Sequence, residues 1–115
     1  IKPLGLTTGQ PKVLDFLQDH DGAMQKDIAK GCHIEPSSLS TILGGMERAG
    51  LLERSTRDEN RRTVYVRLTD LGREQCRRLN AIFAAAEEEA LRGFSQQEMQ
   101  QVQTLLERIY RNLND

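Results

Sequence analysis

Residues 36–68, PSSLSTILGGMERAGLLERSTRDENRRTVYVRL, constrain the fold more than any other stretch. Leu39, Ile42, Leu43 and Met46 recur at i, i+3, i+4 and i+7, which places them on one face of a helix that must lie against a core. The helix starts near Pro36, and Gly50 stops it. Just beyond, the period shortens. Leu51 to Ser55 and Thr63 to Leu68 read as strands, with Val64 and Val66 alternating with Tyr65 and Arg67. The polar run TRDENRR between them reads as a hairpin tip.

The flanks extend this pattern. Thr8 to Asp19 is a helix candidate with Val13, Leu14 and Leu17 on one face, Thr8 as its cap and Pro11 in its first turn. DHDG stops it. A short helix follows over about Gln25 to Lys30, with Ile28 and Ala29 inward and Gly31 in the C-terminal glycine role. Two helices joined by a short turn, the second amphipathic, and then a hairpin make a winged helix-turn-helix. Beyond the hairpin, Thr69 can cap a long helix from Asp70 to about Arg92, in which Leu79, Ile82, Phe83, Ala86 and Ala90 keep helical spacing. Such a helix spans roughly 35 Å at ~1.5 Å per residue, long for a domain this small. Gly93 breaks it, and Ser95 with Glu98 forms a capping box for a last helix. There Met99, Val102, Leu106, Ile109 and Leu113 follow a 3-4-3-4 spacing, widened by Leu105 and Tyr110. A second copy of the chain would cover this seam most economically. The expected fold class is therefore mainly α, an α+β winged helix-turn-helix with one β-hairpin wing and a helical dimerisation arm. Residues 1–68 form the winged region and 69–115 the dimerisation region.

Bulk properties narrow the function. A chain of 115 residues holds one domain, or one domain with an added arm. The net charge is −1, from 16 Lys and Arg against 17 Asp and Glu, so binding to nucleic acid requires a local basic patch. Aromatic residues are 4% of the chain, too few for base-stacking platforms along a single strand. No apolar run approaches the ~20 residues of a membrane span. Two cysteines make no disulfide framework and fit a reducing cytoplasm. No spacing of Cys32, His33, His20 and Cys76 suits zinc, and no nucleophile–base pair or paired carboxylates suggest an enzyme. No cofactor is expected. AEEEA (86–90) reads as a solvated helix face.

With these pieces assembled, residues 6–72 resemble the MarR family of bacterial transcription regulators. The matching stretches are LTTGQPKVLDFL, QKDIAKGCHIEPSSLSTILGGMERAGLLER and DENRRTVYVRLTDLG, followed by the helical tail. The resemblance implies a homodimer on a pseudo-palindromic operator in double-stranded DNA, released by a small lipophilic or aromatic effector or by cysteine oxidation. The expected regulator is a repressor, in the reducing cytoplasm that the two cysteines fit. The resemblance also implies one more helix before Leu6 that joins the dimer interface, so a longer native N-terminus is expected.

The DNA-contact candidates are Ser37, Ser38, Ser40 and Thr41 on the reading helix, Gln25 and Lys26 at the start of the preceding helix, and Arg57, Arg61 and Arg62 on the wing. Hydroxyls and a helix N-terminus can hold phosphates, and arginines suit a narrow minor groove. The bland alternative is that all of these are solvated surface. Relatives often carry arginine at the positions of Thr41 and Gly45, so direct base readout should be weaker here. The family's aspartate before the arginine pair is replaced by Asn60, so either Asp58 substitutes or the wing is looser. Gly44 and Gly45 should cost the helix up to ~2 kcal/mol relative to alanines. Close packing against a neighbour and close approach to DNA both explain them. An effector pocket is expected near Phe16, His20 and Phe83, and the dimer interface at Met99, Val102, Leu106, Ile109 and Leu113. Two other functions remain open on the residues alone: a winged-helix protein-interaction module without DNA binding, and a redox sensor through Cys32 or Cys76.

Overall fold

The computed structural model describes residues 9–57 and 60–114, and the side chains of all of these except Asn60, Arg61 and Asn114. The elements are α1 (Gln10–Asp19), α2 (Gln25–Cys32), α3 (Pro36–Arg48), β1 (Leu52–Arg57), β2 (Asn60–Leu68), α4 (Asp70–Ala90) and α5 (Gln96–Asn114). This is the winged helix-turn-helix order expected from the sequence, mostly helical with one antiparallel hairpin. The chain divides into two compact units, residues 1–81 and 82–115.

In the first unit, α1 to α3 and the hairpin each contribute an apolar face to one core. Val13, Leu14 and Leu17 come from α1, Ile28 from α2, and Leu39, Leu43 and Met46 from α3, all without solvent exposure. Leu52, Val66 and Leu68 close it from the hairpin, and Cys76 and Leu79 from the first turns of α4. Ile42 is partly buried against the same cluster. The hairpin pairs Leu52 with Leu68 and Arg54 with Val66, and its register shifts between Thr56 and Arg57. It is tied to the turn after α1, because the Gly22 N–H donates to the Val66 carbonyl at 2.8 Å and the Val66 N–H to the Ala23 carbonyl at 2.9 Å. Asp21 accepts the Leu68 N–H at 2.8 Å.

Four local expectations are corrected. The N-cap of α1 is Gly9, with φ 98°, and no side chain caps the helix; Thr8 lies outside the described residues. Gly31 does not end α2. The helix continues to Cys32, and His33 takes the left-handed conformation at φ 55°. Gly31 is instead where the Phe16 ring presses on α2, and a Cβ there would collide with its Cε1. The strands are longer than expected, because β1 runs to Arg57 and β2 begins at Asn60. Arg57 and Arg62 therefore sit on paired strands. Finally, α4 ends at Ala90 rather than near Arg92.

The expected caps at Thr69 and Ser95 are present. The Thr69 hydroxyl donates to the Gly50 carbonyl at 2.5 Å and accepts the Gly72 N–H at 3.0 Å. Ser95 and Glu98 exchange hydrogen bonds of 2.8 and 3.1 Å. Gly72 is sterically required, since a Cβ there would overlap the Leu51 carbonyl oxygen, which belongs to the backbone and cannot swing aside. Gly44 differs. A Cβ on it would meet only side-chain ends, Arg48 Nη1 at 3.4 Å and Arg54 Nη2 at 3.6 Å, and one on Gly45 would meet Gln10 Nε2 at 3.7 Å. Packing among the described residues thus does not explain the double glycine.

In the second unit, α5 carries Leu106, Ile109 and Leu113 at 59%, 55% and 78% exposure. A groove of about 980 Å³ within this unit is lined by Ala90, Leu91, Met99, Val102, Leu106 and Tyr110 among others.

The two glycines predict opposite stability changes. Gly72→Ala should cost about 1–3 kcal/mol, the price of overpacking against rigid backbone. Gly44→Ala should gain up to about 1 kcal/mol from helix propensity. Urea unfolding of the two variants beside the parent chain measures both.

Candidate nucleic-acid interface

The buried face of α3 fixes what its other face presents. With Leu39, Leu43 and Met46 inward, Ser37, Ser38, Ser40 and Thr41 are exposed. Two of these hydroxyls are engaged locally. Ser37 Oγ donates to the Glu35 carboxylate at 2.6 Å, and Thr41 Oγ1 donates back to the Ser37 carbonyl at 3.3 Å. Glu35 also puts a negative charge at the start of the helix, which opposes the pull of the helix dipole on a phosphate. Ser38 and Ser40 make no hydrogen bond to any other described residue through their hydroxyls, which leaves them open to an outside acceptor or donor.

Two depressions join α3 to its neighbours. One, of about 280 Å³, is lined by Gln25 and Lys26 at the start of α2, Pro36 and Leu39 of α3, and Arg62 and Thr63 of β2. The other, of about 510 Å³, is lined by Gln25, Ser40, Arg54, Ser55, Thr56 and Val64. Gln25 and Val64 belong to both, so the expected contacts Gln25, Lys26, Ser40 and Arg62 fall along one concave surface. Arg57 lines neither depression. Its guanidinium lies over the Tyr65 ring at 4.1 Å from the centroid, a cation–π contact that holds the cation near the wing's end. The Arg61 side chain lies outside the described residues.

Arg54 was not singled out as a contact from sequence. Its Nε and Nη2 both lie 3.1 Å from Glu47 Oε1, and its backbone N–H donates to Glu47 Oε2 at 3.3 Å. This chelate joins the end of α3 to β1. The two residues are seven apart across a helix end, a turn and a strand start, a spacing that neither helical nor strand periodicity flags.

The effector candidates are reached in part. Phe16 and His20 form a tilted ring pair with centroids 4.5 Å apart, and Phe16 also covers Gly31. Phe83 belongs to the second unit and is 46% exposed. The seam residues Met99, Leu106, Ile109 and Leu113 are exposed within the single chain, and Val102 is half-buried.

Both cysteines are buried, and their thiols donate weakly to backbone carbonyls of α1, Cys32 to Lys12 and Cys76 to Leu14, each at 3.6 Å. Desolvation pushes both thiols up from their ordinary range. The nearby Asp15 carboxylate adds to this, and Lys12 and Arg77 oppose it. A buried protonated thiol is a poor nucleophile. Among the described residues no group of His, Cys, Asp and Glu is placed to hold a metal ion, and no helix is long and apolar enough to cross a membrane.

The fold and this surface define a winged helix-turn-helix protein whose reading helix is flanked by basic side chains. The MarR family model matches residues 6–64, and the chain belongs to the MarR family of transcriptional regulators. It is 26% identical over 109 residues to a helix-turn-helix transcriptional repressor of Mycobacterium bovis, covering 95% of this chain and 78% of the relative. Among solved structures, the MepR–DNA complex of S. aureus superposes with a TM-score of 0.82 at 26% identity, covering 97% of this chain and 82% of MepR. PcaV of Streptomyces coelicolor, solved with its natural ligand, superposes with a TM-score of 0.79 at 25% identity, covering 90% and 74%.

The raised thiols carry a pH sign. Folding holds Cys32 and Cys76 protonated, so stability is constant below the ordinary thiol range. It falls as pH rises through that range, where only the unfolded chain gives up the protons. Urea midpoints measured on either side of the thiol range should decline for the parent chain. The decline should shrink in a Cys32→Ala, Cys76→Ala double variant.

Proposed function

We propose that this chain is a homodimeric, sequence-specific DNA-binding transcriptional repressor that a small lipophilic or aromatic ligand releases from its operator. The observation that carries this reading is the gathering of Gln25, Lys26, Ser40 and Arg62, from two helices and the wing, along one concave surface beside the exposed face of α3. A chain of net charge −1 needs such a local concentration of donors to hold a polyanion. MepR, a structural relative, was solved on DNA.

In this reading α3 enters the major groove, with Ser37, Ser38, Ser40 and Thr41 towards the duplex. Arg57, Arg61 and Arg62 reach phosphates and the flanking minor groove. Residues 1–68 do the reading and residues 69–115 the pairing. The exposed apolar seam of Met99, Leu106, Ile109 and Leu113 with Val102 supports a second copy as the partner, because two-fold pairing buries the same stripe twice. The two reading heads then meet successive half-sites of a pseudo-palindrome. A ligand would act by binding better to one spacing of the heads than to the other. The PcaV complex with its natural ligand supports an effector of this kind.

Duplexes selected by the protein from a randomised pool, titrated across a salt series, test the DNA reading. The affinity should fall steeply with salt, and Arg61→Ala with Arg62→Ala should lower the slope by about 2. No retention of any duplex at low salt would favour a protein-interaction module instead. Sedimentation equilibrium tests the seam: the parent should be a dimer, and Leu106→Asp with Ile109→Asp a folded monomer with far weaker operator binding.

A further inference from the structure

The reading helix lacks the arginines that would grip DNA from its own middle turns, and two glycines stand there instead. The structure brings an arginine from elsewhere to this place. Arg54, on β1, carries its Nη2 to 3.6 Å from where a Gly44 Cβ would be. Gly44 stands seven residues, or two turns, after Ser37 and four after Ser40, in the helical row of these hydroxyls, but it is itself buried, with the ends of Arg48 and Arg54 over it. Arg54 also lines the same depression as Gln25 and Ser40.

We propose that Arg54 is a DNA-contacting residue, held by Glu47 and reaching a backbone phosphate from its place over Gly44 of α3. This rests on the DNA-binding reading above and names a contact within it.

Donor bookkeeping supports the assignment. A guanidinium has five N–H groups. Glu47 Oε1 engages Nε and one edge of Nη2, and Glu47 Oε2 takes the backbone N–H. The Nη1 donors and the outer Nη2 donor make no hydrogen bond to any described residue. The Arg54 side chain is 25% exposed, so part of it meets solvent while Glu47 tethers it. A tethered fork loses little freedom when a phosphate arrives, and arginine matches phosphate geometry with two parallel bonds. Glu47 is thus a positioning residue. It lowers the net charge of the pair and in return fixes the direction of its free edge.

Gly44 completes the argument. No described residue needs it to be glycine, since a methyl group there meets only arginine ends at ordinary contact distances. A methyl group would, however, cover Nη2 and thicken α3 beside the proposed phosphate. Gly44→Ala should therefore move stability and DNA binding in opposite directions, which a merely structural glycine would not do.

The test uses the duplexes the parent protein selects from a randomised pool, with unfolding midpoints recorded for every variant. Arg54→Gln should weaken binding about tenfold, the loss of one charge-assisted hydrogen bond, and lower the salt slope by about 1. Arg54→Lys keeps the charge and should retain the slope but bind more weakly than the parent. Glu47→Gln should weaken binding at an unchanged slope, although it removes a negative charge beside the DNA. Gly44→Ala should raise the unfolding midpoint and still bind several-fold more weakly. If the parent binds and a folded Arg54→Gln binds with the parent's affinity and slope, the assignment is wrong and the DNA reading stands. If Arg54→Gln does not fold, Gly44→Ala decides, and binding equal to the parent's overturns the proposal. A parent that retains no duplex overturns both.

Discussion

Leu39, Leu43 and Met46 are fully buried, and this sets the rotation of α3 about its axis. Turning the helix by one residue, about 100°, would expose one of them and bury a serine hydroxyl without a partner. The three leave almost no freedom, because α1, α2, the hairpin and the start of α4 supply the opposing side chains of one core. The exposed order Ser37, Ser40 and Thr41 follows from this packing. The hairpin in turn depends on α3, since Leu51 and Leu52 enter the core directly after it and start the strand pairing at Leu52 with Leu68.

Close approaches hold the elements around that helix. Gly72 lets the first turn of α4 rest on the Leu51 carbonyl, and the Thr69 hydroxyl bridges from the Gly50 carbonyl to the Gly72 N–H. Gly31 lets the Phe16 ring sit on α2. Gln18 and Asn80 exchange amide hydrogen bonds of 3.3 and 2.7 Å between α1 and α4. Arg73 with Asp70 and Arg77 with Glu74 lie within α4, and Arg92 with Glu89 spans its C-terminal end; all three are exposed, so they add little stability. Arg54 with Glu47 differs from these, as does the longer Arg73–Asp21 contact of 3.7 Å, and is the closer of the two at 3.1 Å. It joins two elements and takes a backbone N–H as well as the guanidinium.

A near-neutral chain can still present a cationic surface if its charges are sorted. Here the sorting is done by connectivity: α2 begins with Gln25 and Lys26, β2 carries Arg62, and both meet at the start of α3. Glu35 works against the sum at that point. The modest hydroxyl face of α3 and the basic side chains beside it therefore act as one surface.

The helices and the hairpin were legible in the sequence, because a one-faced apolar period leaves one way for each segment to be buried. Leu39, Ile42, Leu43 and Met46 announced α3, and the Ser95–Glu98 box announced α5, from purely local chemistry. The family was legible too, through the order of these segments and the LTDLG stretch after the hairpin. Two misreadings have their reason in another element. Gly31 looked like a helix stop because its partner, Phe16, is fifteen residues away in α1. Arg54 was passed over because its partner, Glu47, belongs to no shared period. Sequence alone determined which segments are helical or extended and which side of each is apolar, since both depend on neighbours one to four residues away. Only the tertiary structure decided which polar side chains meet at the reading surface, because that depends on packing between elements distant in the chain.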